Sequence, residues 1–193
     1  TPEITGTITI TAGGVTVDGL NFVKPAEGDS IVLNGVSDVT IENCNFDAKE
    51  LMGSLDESAG RAVQMNNNCS RITIDRCTFT GGYYVTIQGK ADNVTVKNST
   101  INNCKSGINL QSGSRLVVKD TDISVKALGA TNDTYCVRFA SSAAGSGTDM
   151  SITGGEFTVN KNNLTADDST YHSAIVVRSG ATGTLSVNDV TIN

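Results

Sequence analysis

One group of chemically active side chains lies near the end of this 193-residue chain. Tyr171 and His172 shortly precede Arg178, and Tyr135 shortly precedes Arg138. An arginine can neutralise the carboxylate of a substrate, and a tyrosine or histidine beside it can remove the weakly acidic proton next to that carboxylate. The candidate catalytic residues are therefore His172, Tyr171, Arg138 and Arg178.

These four residues form no spacing motif, and His172 is the only histidine of the chain. A single histidine in a loop more often packs against its neighbours or faces solvent than it takes part in a reaction. A structural interpretation of this group therefore stays open beside the catalytic one.

Two acidic pairs, Asp56 with Glu57 and Asp167 with Asp168, are a second source of chemistry. Paired carboxylates can chelate calcium or act as acid and base, although charged pairs in loops are more often only solvated. The five cysteines include no Cys-x-x-Cys pair, so a zinc site is not expected. We expect no cofactor, with calcium as the alternative.

A larger group of polar side chains suits binding rather than catalysis. Amide, hydroxyl and guanidinium groups form hydrogen bonds with sugar hydroxyls and with uronate or sulfate groups. Ladders of Asn and Gln also stabilise stacked strands without any ligand, and this explanation stays open. The candidate ligand-binding residues, with a tyrosine at the rim, are Gln64, Thr86, Gln88, Asn109, Gln111, Arg138 and Tyr84.

The elements that must position these residues follow a pattern that occurs seven times along the chain. Each copy is an alternating apolar and polar triplet, two turn-forming residues, and a second short alternation that ends in Phe or Ile. The copies begin 22 to 35 residues apart, a period typical of solenoid proteins. They are VTVDGLNF from Val15, VTIENCNF from Val39, ITIDRCTF from Ile72, VTVKNSTI from Val94, LVVKDTDI from Leu116, MSITGGEF from Met150 and LSVNDVTI from Leu185.

A third alternating segment precedes each copy, so each unit holds three short segments with strand and turn chemistry. Strands this short bury their apolar faces when the chain coils and equivalent strands stack in parallel. The third segments are Ile8–Ile10, Ile31–Leu33, Val63–Met65, Val85–Ile87, Ile108–Leu110, Val137–Phe139 and Ile175–Val177. The predicted inward ladders are Val15/Val39/Ile72/Val94/Leu116/Met150/Leu185 and Phe22/Phe46/Phe79/Ile101/Ile123/Phe157/Ile192.

This pattern resembles the right-handed parallel β-helix superfamily typified by pectate and pectin lyases, over nearly all of residues 4 to 193. The resemblance implies an all-β fold, a single-stranded right-handed parallel β-helix of about seven rungs with three short strands each. We expect one domain, residues 1–193, that is part of a longer secreted protein. The same coil serves lyases, hydrolases, adhesins and proteins without known activity, so the resemblance indicates fold more strongly than function.

The resemblance also implies a groove. Insertions at residues 47–60, 124–135 and 158–173 precede the first strand of a unit, and in lyase-like proteins the corresponding loops wall a cleft over that strand. Its floor here would hold the amide-rich residues but no carboxylate, whereas calcium-dependent lyases and hydrolases need several. We therefore expect a non-catalytic module that binds an extended polysaccharide or serves as an adhesin or spacer. The alternative is a polysaccharide lyase or glycoside hydrolase.

Composition narrows the class of partner. The net charge of −6 and the isoelectric point near 4.7 argue against nucleic acid and against an anionic membrane surface. No apolar run is long enough to span a membrane. We expect a polysaccharide or cell-surface glycan as partner, and an extracellular or cell-surface location on a bacterium.

Cysteine placement favours reduced thiols over disulfides. Cys44 and Cys77 occupy equivalent positions of adjacent units. Parallel stacking spaces such residues by about 4.8 Å, which is longer than a relaxed disulfide prefers. We therefore expect these cysteines to pack as free thiols.

Overall fold

The chain winds into a coil with three strands per turn in the computed structural model, which describes residues 2–23, 28–48, 60–126, 133–139, 149–160, 172–177 and 183–193. Each turn, here called a rung, places one strand on each of three faces. Strands of neighbouring rungs pair in parallel. No helix in these ranges is long and apolar enough to cross a membrane.

The first two faces share one sheet. The first face holds β2 (Ile8–Ile10), β5 (Ile31–Asn34), the start of β8 (Val63–Asp75), the start of β10 (Ile87–Lys97), β12 (Ile108–Ser112), β15 (Thr134–Phe139) and β18 (His172–Val177). The second face holds β3 (Thr16–Asp18), β6 (Ser37–Glu42), the ends of β8 and β10, β13 (Arg115–Lys119), β16 (Asp149–Thr153) and β19 (Leu185–Asn188).

The third face is a separate eight-stranded sheet. Its strands are β1 (Glu3–Ile4), β4 (Asn21–Val23), β7 (Asn45–Asp47), β9 (Thr78–Thr80), β11 (Thr100–Cys104), β14 (Asp122–Lys126), β17 (Glu156–Asn160) and β20 (Thr191–Ile192). Together the three faces give seven stacked rungs, so the predicted parallel β-helix is confirmed.

Inward ladders of apolar side chains form the core. Phe22 and Phe46 stack with ring centroids 4.7 Å apart, and Phe46 and Phe79 repeat that distance in the next rung. The predicted third-face ladder pairs in register through to Ile192, and the second-face ladder pairs from Val39 to Leu185. Both ladder predictions are confirmed over these residues.

A left-handed backbone residue turns each rung from the second face to the third. Glycine reaches this conformation without strain, and Asn and Asp tolerate it better than other residues. Arg76 is the exception, with φ of 50°, and it donates hydrogen bonds of 2.8 and 2.6 Å to the side chains of Asn43 and Glu42. The full set is Gly19, Asn43, Arg76, Asn98, Asp120, Gly154 and Asp189.

All five cysteines are buried and unpaired. Cys44 and Cys77 lie one rung apart, and each thiol reaches a backbone oxygen, of Glu42 at 3.1 Å and of Asp75 at 3.4 Å respectively. These cysteines therefore pack as thiols, as the stacking distance predicts.

The predicted register of the fourth rung is wrong on the first face. The sequence pattern aligns Thr86 with Gln64, but the structure pairs Gln88 with Gln64. Gly89 then stands opposite Met65, where an added Cβ would lie 2.1 Å from the Met65 backbone oxygen. Only glycine fits this close approach, so the strand lies two residues later than its alternation suggests.

Candidate functional site

Four polar side chains line up on the outside of the first face, one on each of four successive rungs. We call Gln64, Gln88, Asn109 and Arg138 the polar row, since they pair in register across β8, β10, β12 and β15. Neighbouring strands lie about 4.8 Å apart, so the row spans about 14 Å along the coil. The flanking residues Val63 and Ile87 are buried in the core, and the alternation therefore turns the row outward.

Hydrogen bonds connect three members of the polar row. Arg138 Nε donates to Asn109 Oδ1 at 3.1 Å, and Asn109 Nδ2 donates to Gln88 Oε1 at 3.4 Å. Asn109 is only 1% exposed and Gln88 only 8%. These amides therefore hold Arg138 in position and offer little surface of their own.

Three of the predicted contacts, Thr86, Gln88 and Asn109, are buried. Thr86 has no exposed surface, and its hydroxyl donates to the backbone oxygen of Ser106 at 3.1 Å. Asn109 is equally covered. The expectation that these three residues lie open on a groove floor is wrong. The two-residue shift takes Thr86 out of the row, and Gln88 and Asn109 are buried within the hydrogen-bonded row.

Other predicted contacts keep an accessible surface. Gln64, Tyr84 and Gln111 are half-buried, and the Arg138 side chain is 17% exposed. Gln64 Nε2 donates to Asn66 Oδ1 at 2.9 Å, which ties the row to the corner where the first face meets the second. A ligand on this face would therefore meet Gln64, Tyr84, Gln111 and Arg138.

Basic and aromatic side chains border the polar row where each rung enters the first face. Lys105 Nζ lies 4.2 Å from the centroid of the Tyr84 ring, and the Arg61 guanidinium carbon lies 5.9 Å from it. The Arg138 guanidinium carbon lies 4.4 Å from the Tyr135 ring. A cation over an aromatic face is attracted by the ring electrons, and Arg61, Tyr84, Lys105 and Tyr135 together form what we call the cation–aromatic margin.

Two carboxylates partly neutralise the positive charge of the cation–aromatic margin. Asp29 Oδ1 lies 3.9 Å from Arg61 NH1, and Asp133 Oδ2 lies 3.5 Å from Arg138 NH1. Lys105 is itself 1% exposed, so it adds little accessible charge. The accessible surface is therefore polar with arginines that each lie beside a carboxylate, which suits neutral or weakly acidic ligands.

Arg61 and Lys105 were not found by sequence reasoning. Both shortly precede a first-face strand, in the same part of the rung as Tyr84 and Tyr135. The signal was positional: Arg61 precedes its strand by the same two residues as Tyr135 precedes Val137, and Lys105 precedes Ile108 by the same three residues as Tyr84 precedes Ile87. Their contact with one ring brings together side chains of neighbouring rungs, which local sequence does not reveal.

The candidate catalytic residues are only partly described. Tyr171 and Arg178 lie outside the described residues. His172 pairs in register with Thr134, and Arg138 follows Thr134 by four residues on the same strand. At about 3.3 Å per residue, four residues separate the backbone of Arg138 from that of His172 by about 13 Å along the strands. The catalytic interpretation stays a prediction.

Tyr135 is not suited to act as a base near neutral pH. Burial raises the pKa of Tyr135 to about 12, although the nearby Arg138 charge works in the opposite direction. The phenol therefore keeps its proton at neutral pH. Its role is to pack beneath the Arg138 guanidinium.

The metal and cleft predictions stay open. Among the described residues no group of three or more His, Cys, Asp or Glu side chains could hold a metal ion. Asp56, Glu57, Asp167 and Asp168 lie outside those residues, as do residues 49–59, 127–132 and 161–171 of the three insertions. Calcium binding and the walls of the groove therefore stay predictions.

Comparison with known proteins agrees with the coil of rungs. A family model described as a right handed beta helix region matches residues 6–193. No curated protein matches the chain, and no solved structure matches it. The family match covers almost the whole chain and concerns its architecture.

Proposed function

This chain belongs to the right-handed β-helix family, and from that premise we propose that it binds an extended polysaccharide across its first face without catalysing a reaction. The observation that carries the proposal is the polar row, fixed by hydrogen bonds from Arg138 through Asn109 to Gln88. Side chains held in this way lose little further entropy when a ligand binds, which favours recognition.

The chemistry of the exposed contacts fits sugar. Gln111 offers an amide donor and acceptor for hydroxyl groups, and the half-buried Gln64 offers its amide nitrogen as a donor, since its side-chain oxygen is buried. Arg138 offers a guanidinium for a hydroxyl or a carboxylate. Tyr84, at the margin, presents an aromatic ring of the kind that packs against the apolar face of a sugar.

The shape of the row favours a long ligand over a small one. Its members repeat at the spacing of the rungs, over about 14 Å. A polymer that runs along the coil would meet Gln64 and Arg138 at the two ends of the row, with Tyr84 and Gln111 beside it, because Gln88 and Asn109 are buried between them. Each of these contacts would add to the affinity. A polysaccharide of this kind is met outside the cell, so the proposal includes a secreted or cell-surface role as an adhesin or spacer, in a bacterium.

A non-catalytic role is favoured because the members of the polar row are amides and a guanidinium. Hydrolases place two carboxylates across the bond that they cleave, and calcium-dependent lyases need several carboxylates around the ion. The alternative, a polysaccharide lyase or glycoside hydrolase that uses His172, Tyr171, Arg138 and Arg178, would reveal itself by the release of shortened or unsaturated sugars.

Arg138→Gln tests the proposal on an array of bacterial and plant polysaccharides. We expect the wild-type protein to bind at least one polymer and the variant to bind it about tenfold more weakly or worse, since a charge-assisted hydrogen bond is worth about 1.5–3 kcal/mol. Surface-immobilised polymer and purified protein give the affinity directly.

Lys119→Gln is the matched control, because Lys119 is an exposed cation on the second face with 58% of its side chain accessible. It removes the same charge away from the row and should leave binding unchanged. Absence of any binder, or equal weakening by both substitutions, would contradict the proposal. Product release from a bound polymer would instead establish the enzymatic alternative.

A further inference from the structure

We infer that a separate notch on the coil binds a single carboxylated sugar unit. The notch is a surface cavity of about 440 Å³ at the corner between the first and second faces. This volume lies within the range of about 300–1,000 Å³ that is usual for small-molecule sites. Its lining residues are Met65, Asn66, Asn67, Asn68, Lys90 and Gln111.

Unequal rung lengths create the notch. Met65 pairs with Gly89, and Cys69 pairs with Ala91, so three residues of β8 lie opposite the single residue Lys90 of β10. The third rung therefore projects by two residues over the fourth. The projecting residues are the three consecutive asparagines, residues 66–68, and they form a ledge above Lys90.

The ledge is held in a defined shape. Asn67 and Asn68 both adopt left-handed backbone conformations, with φ of 56° and 55°. The Asn67 side chain donates a hydrogen bond of 2.5 Å to Asn34 Oδ1 on the second rung. Gln64 Nε2 holds Asn66 from the other side at 2.9 Å. Two of the three ledge amides are thus positioned before any ligand arrives.

Lys90 gives the notch its charge. Its side chain is exposed, and it forms no ion pair with any carboxylate of the described residues. The nearest acidic neighbour along the strand, Asp92, accepts a hydrogen bond of 2.8 Å from the Ser114 backbone. The Lys90 ammonium has no ion-pair partner among the described residues, and it lines the cavity together with several amides. This combination matches a carboxylate flanked by hydroxyl groups.

A uronate has this combination of groups. Its carboxylate would pair with Lys90 Nζ, and its ring hydroxyls would exchange hydrogen bonds with the ledge amides and with Gln111. A neutral hexose shares the hydroxyls but lacks the charge, so the notch should discriminate between the two through Lys90.

The notch adjoins the polar row. This inference rests on the proposed function, because the polysaccharide bound on the row would supply the sugar unit that enters the notch. Asn66, Lys90 and Gln111 each follow a member of the row by two residues on the same strand. That offset is about 7 Å. A polymer on the row could therefore place one acidic unit in the notch.

Titration with glucuronate and, separately, with glucose tests the notch apart from polymer binding, because neither monosaccharide spans the row and the asparagines of the ledge report on the notch itself. We expect glucuronate to shift the side-chain amide NMR signals of Asn66, Asn67, Asn68 and Gln111, and glucose to shift them far less. Lys90→Gln should weaken glucuronate binding about tenfold, and Lys119→Gln should leave it unchanged. Thermal unfolding of each variant confirms that the fold is intact.

The two proposals fail separately. If Arg138→Gln abolishes polysaccharide binding while Lys90→Gln alters neither polymer nor glucuronate binding, the notch is overturned and the proposed function stands. If glucuronate binds through Lys90 but no polymer binds, the notch stands and the proposed function falls. Equal responses to glucuronate and glucose, or no response to either, would overturn the notch as a uronate site.

Discussion

At the scale of single residues, the corner between the second and third faces shows how charge supports the coil. Asp75 is buried and accepts hydrogen bonds of 2.6 Å from Arg76 and 2.8 Å from Asn98, with Lys97 Nζ at 3.5 Å. Burial alone would raise the pKa of Asp75, but the Asn98 hydrogen bond and the charges of Lys97 and Arg76 outweigh it and lower the pKa. The carboxylate therefore links the third and fourth rungs in its ionised form.

Asp75→Asn should make the stability of the protein less sensitive to acid. A folded-state pKa below that of the unfolded chain, near 4, means that the carboxylate stabilises the fold above about pH 4 and loses this effect as the pH falls through the folded-state value. We expect the variant to lose about 1–3 kcal/mol at neutral pH and less in acid. Urea denaturation at several pH values measures this.

Asp38→Asn serves as the comparison for that prediction. Asp38 pairs with Arg71 through bonds of 2.6 and 2.7 Å, but both side chains are more than half exposed. Exposed ion pairs contribute little to stability, so this substitution should leave the urea midpoint nearly unchanged. A larger effect from Asp38 than from Asp75 would contradict the assignment.

At the scale of elements, the stability of each strand depends on the rung above and below it. The third-face ladder shows this, because Phe46 lies between two aromatic rings and is fully buried, whereas Ile192 in the same ladder is 56% exposed. The same ladder position therefore contributes very different amounts to the free energy of unfolding in different rungs.

Phe46→Ala should cost about 3–5 kcal/mol of unfolding free energy, because it opens a cavity between two stacked rings. Ile192→Ala removes a side chain from the same ladder at its exposed position and should cost far less. Denaturant unfolding of both variants measures the difference. Similar losses at both positions, or a loss under about 1 kcal/mol for Phe46→Ala, would be incompatible with the stacked ladder.

At the scale of the whole molecule, seven rungs share one continuous core, and all five thiols lie inside it. Burial raises the pKa of Cys104 to about 12 and that of Cys136 to about 12. Thiols react as thiolates, so Cys104 and Cys136 should be inert until the coil opens. The hydrogen bond with Cys77 lowers the pKa of Cys44 to about 7, and burial alone shields that thiol. Thiol exposure therefore reports on the unfolding of the core.

A thiol reagent such as dithiobis(nitrobenzoate) tests this arrangement. We expect little reaction in the native protein and five reactive thiols in denaturant without added reductant, because the sequence contains five cysteines and all are unpaired. A count of three thiols in denaturant would indicate a disulfide and would contradict the structure. Rapid reaction of the native protein would show that the core is open.

Much of the fold could be predicted from the sequence, because the signals are local. The alternation of apolar and polar residues sets which side chains face inward, and the seven Phe or Ile positions set the register of the third face. The left-handed corners were equally readable, since Gly, Asn and Asp stand at most of them. In a coil of this kind the same alternation and the same turn residues recur in every rung, so a local pattern is enough to predict the architecture.

The candidate site was predicted only in part, and the fourth rung shows why. Val85–Ile87 and Ile87–Gly89 overlap at Ile87, and alternation alone favours Val85–Ile87 as the first-face strand, whereas the structure uses Ile87–Gly89. The close approach of Gly89 to Met65 decides the register, and it is a contact between rungs. The exposure predicted for Thr86 was wrong for this reason.

Local sequence patterns specify the coil, its ladders and the place of most polar side chains along the first face. Contacts between rungs, which the local patterns do not encode, cover Asn109, place Lys105 over Tyr84 and leave the asparagine ledge opposite Lys90. The physical reason is that strand periodicity acts within a rung, whereas burial, cation–aromatic contacts and cavities arise between rungs, where residues about 20 or more positions apart become neighbours.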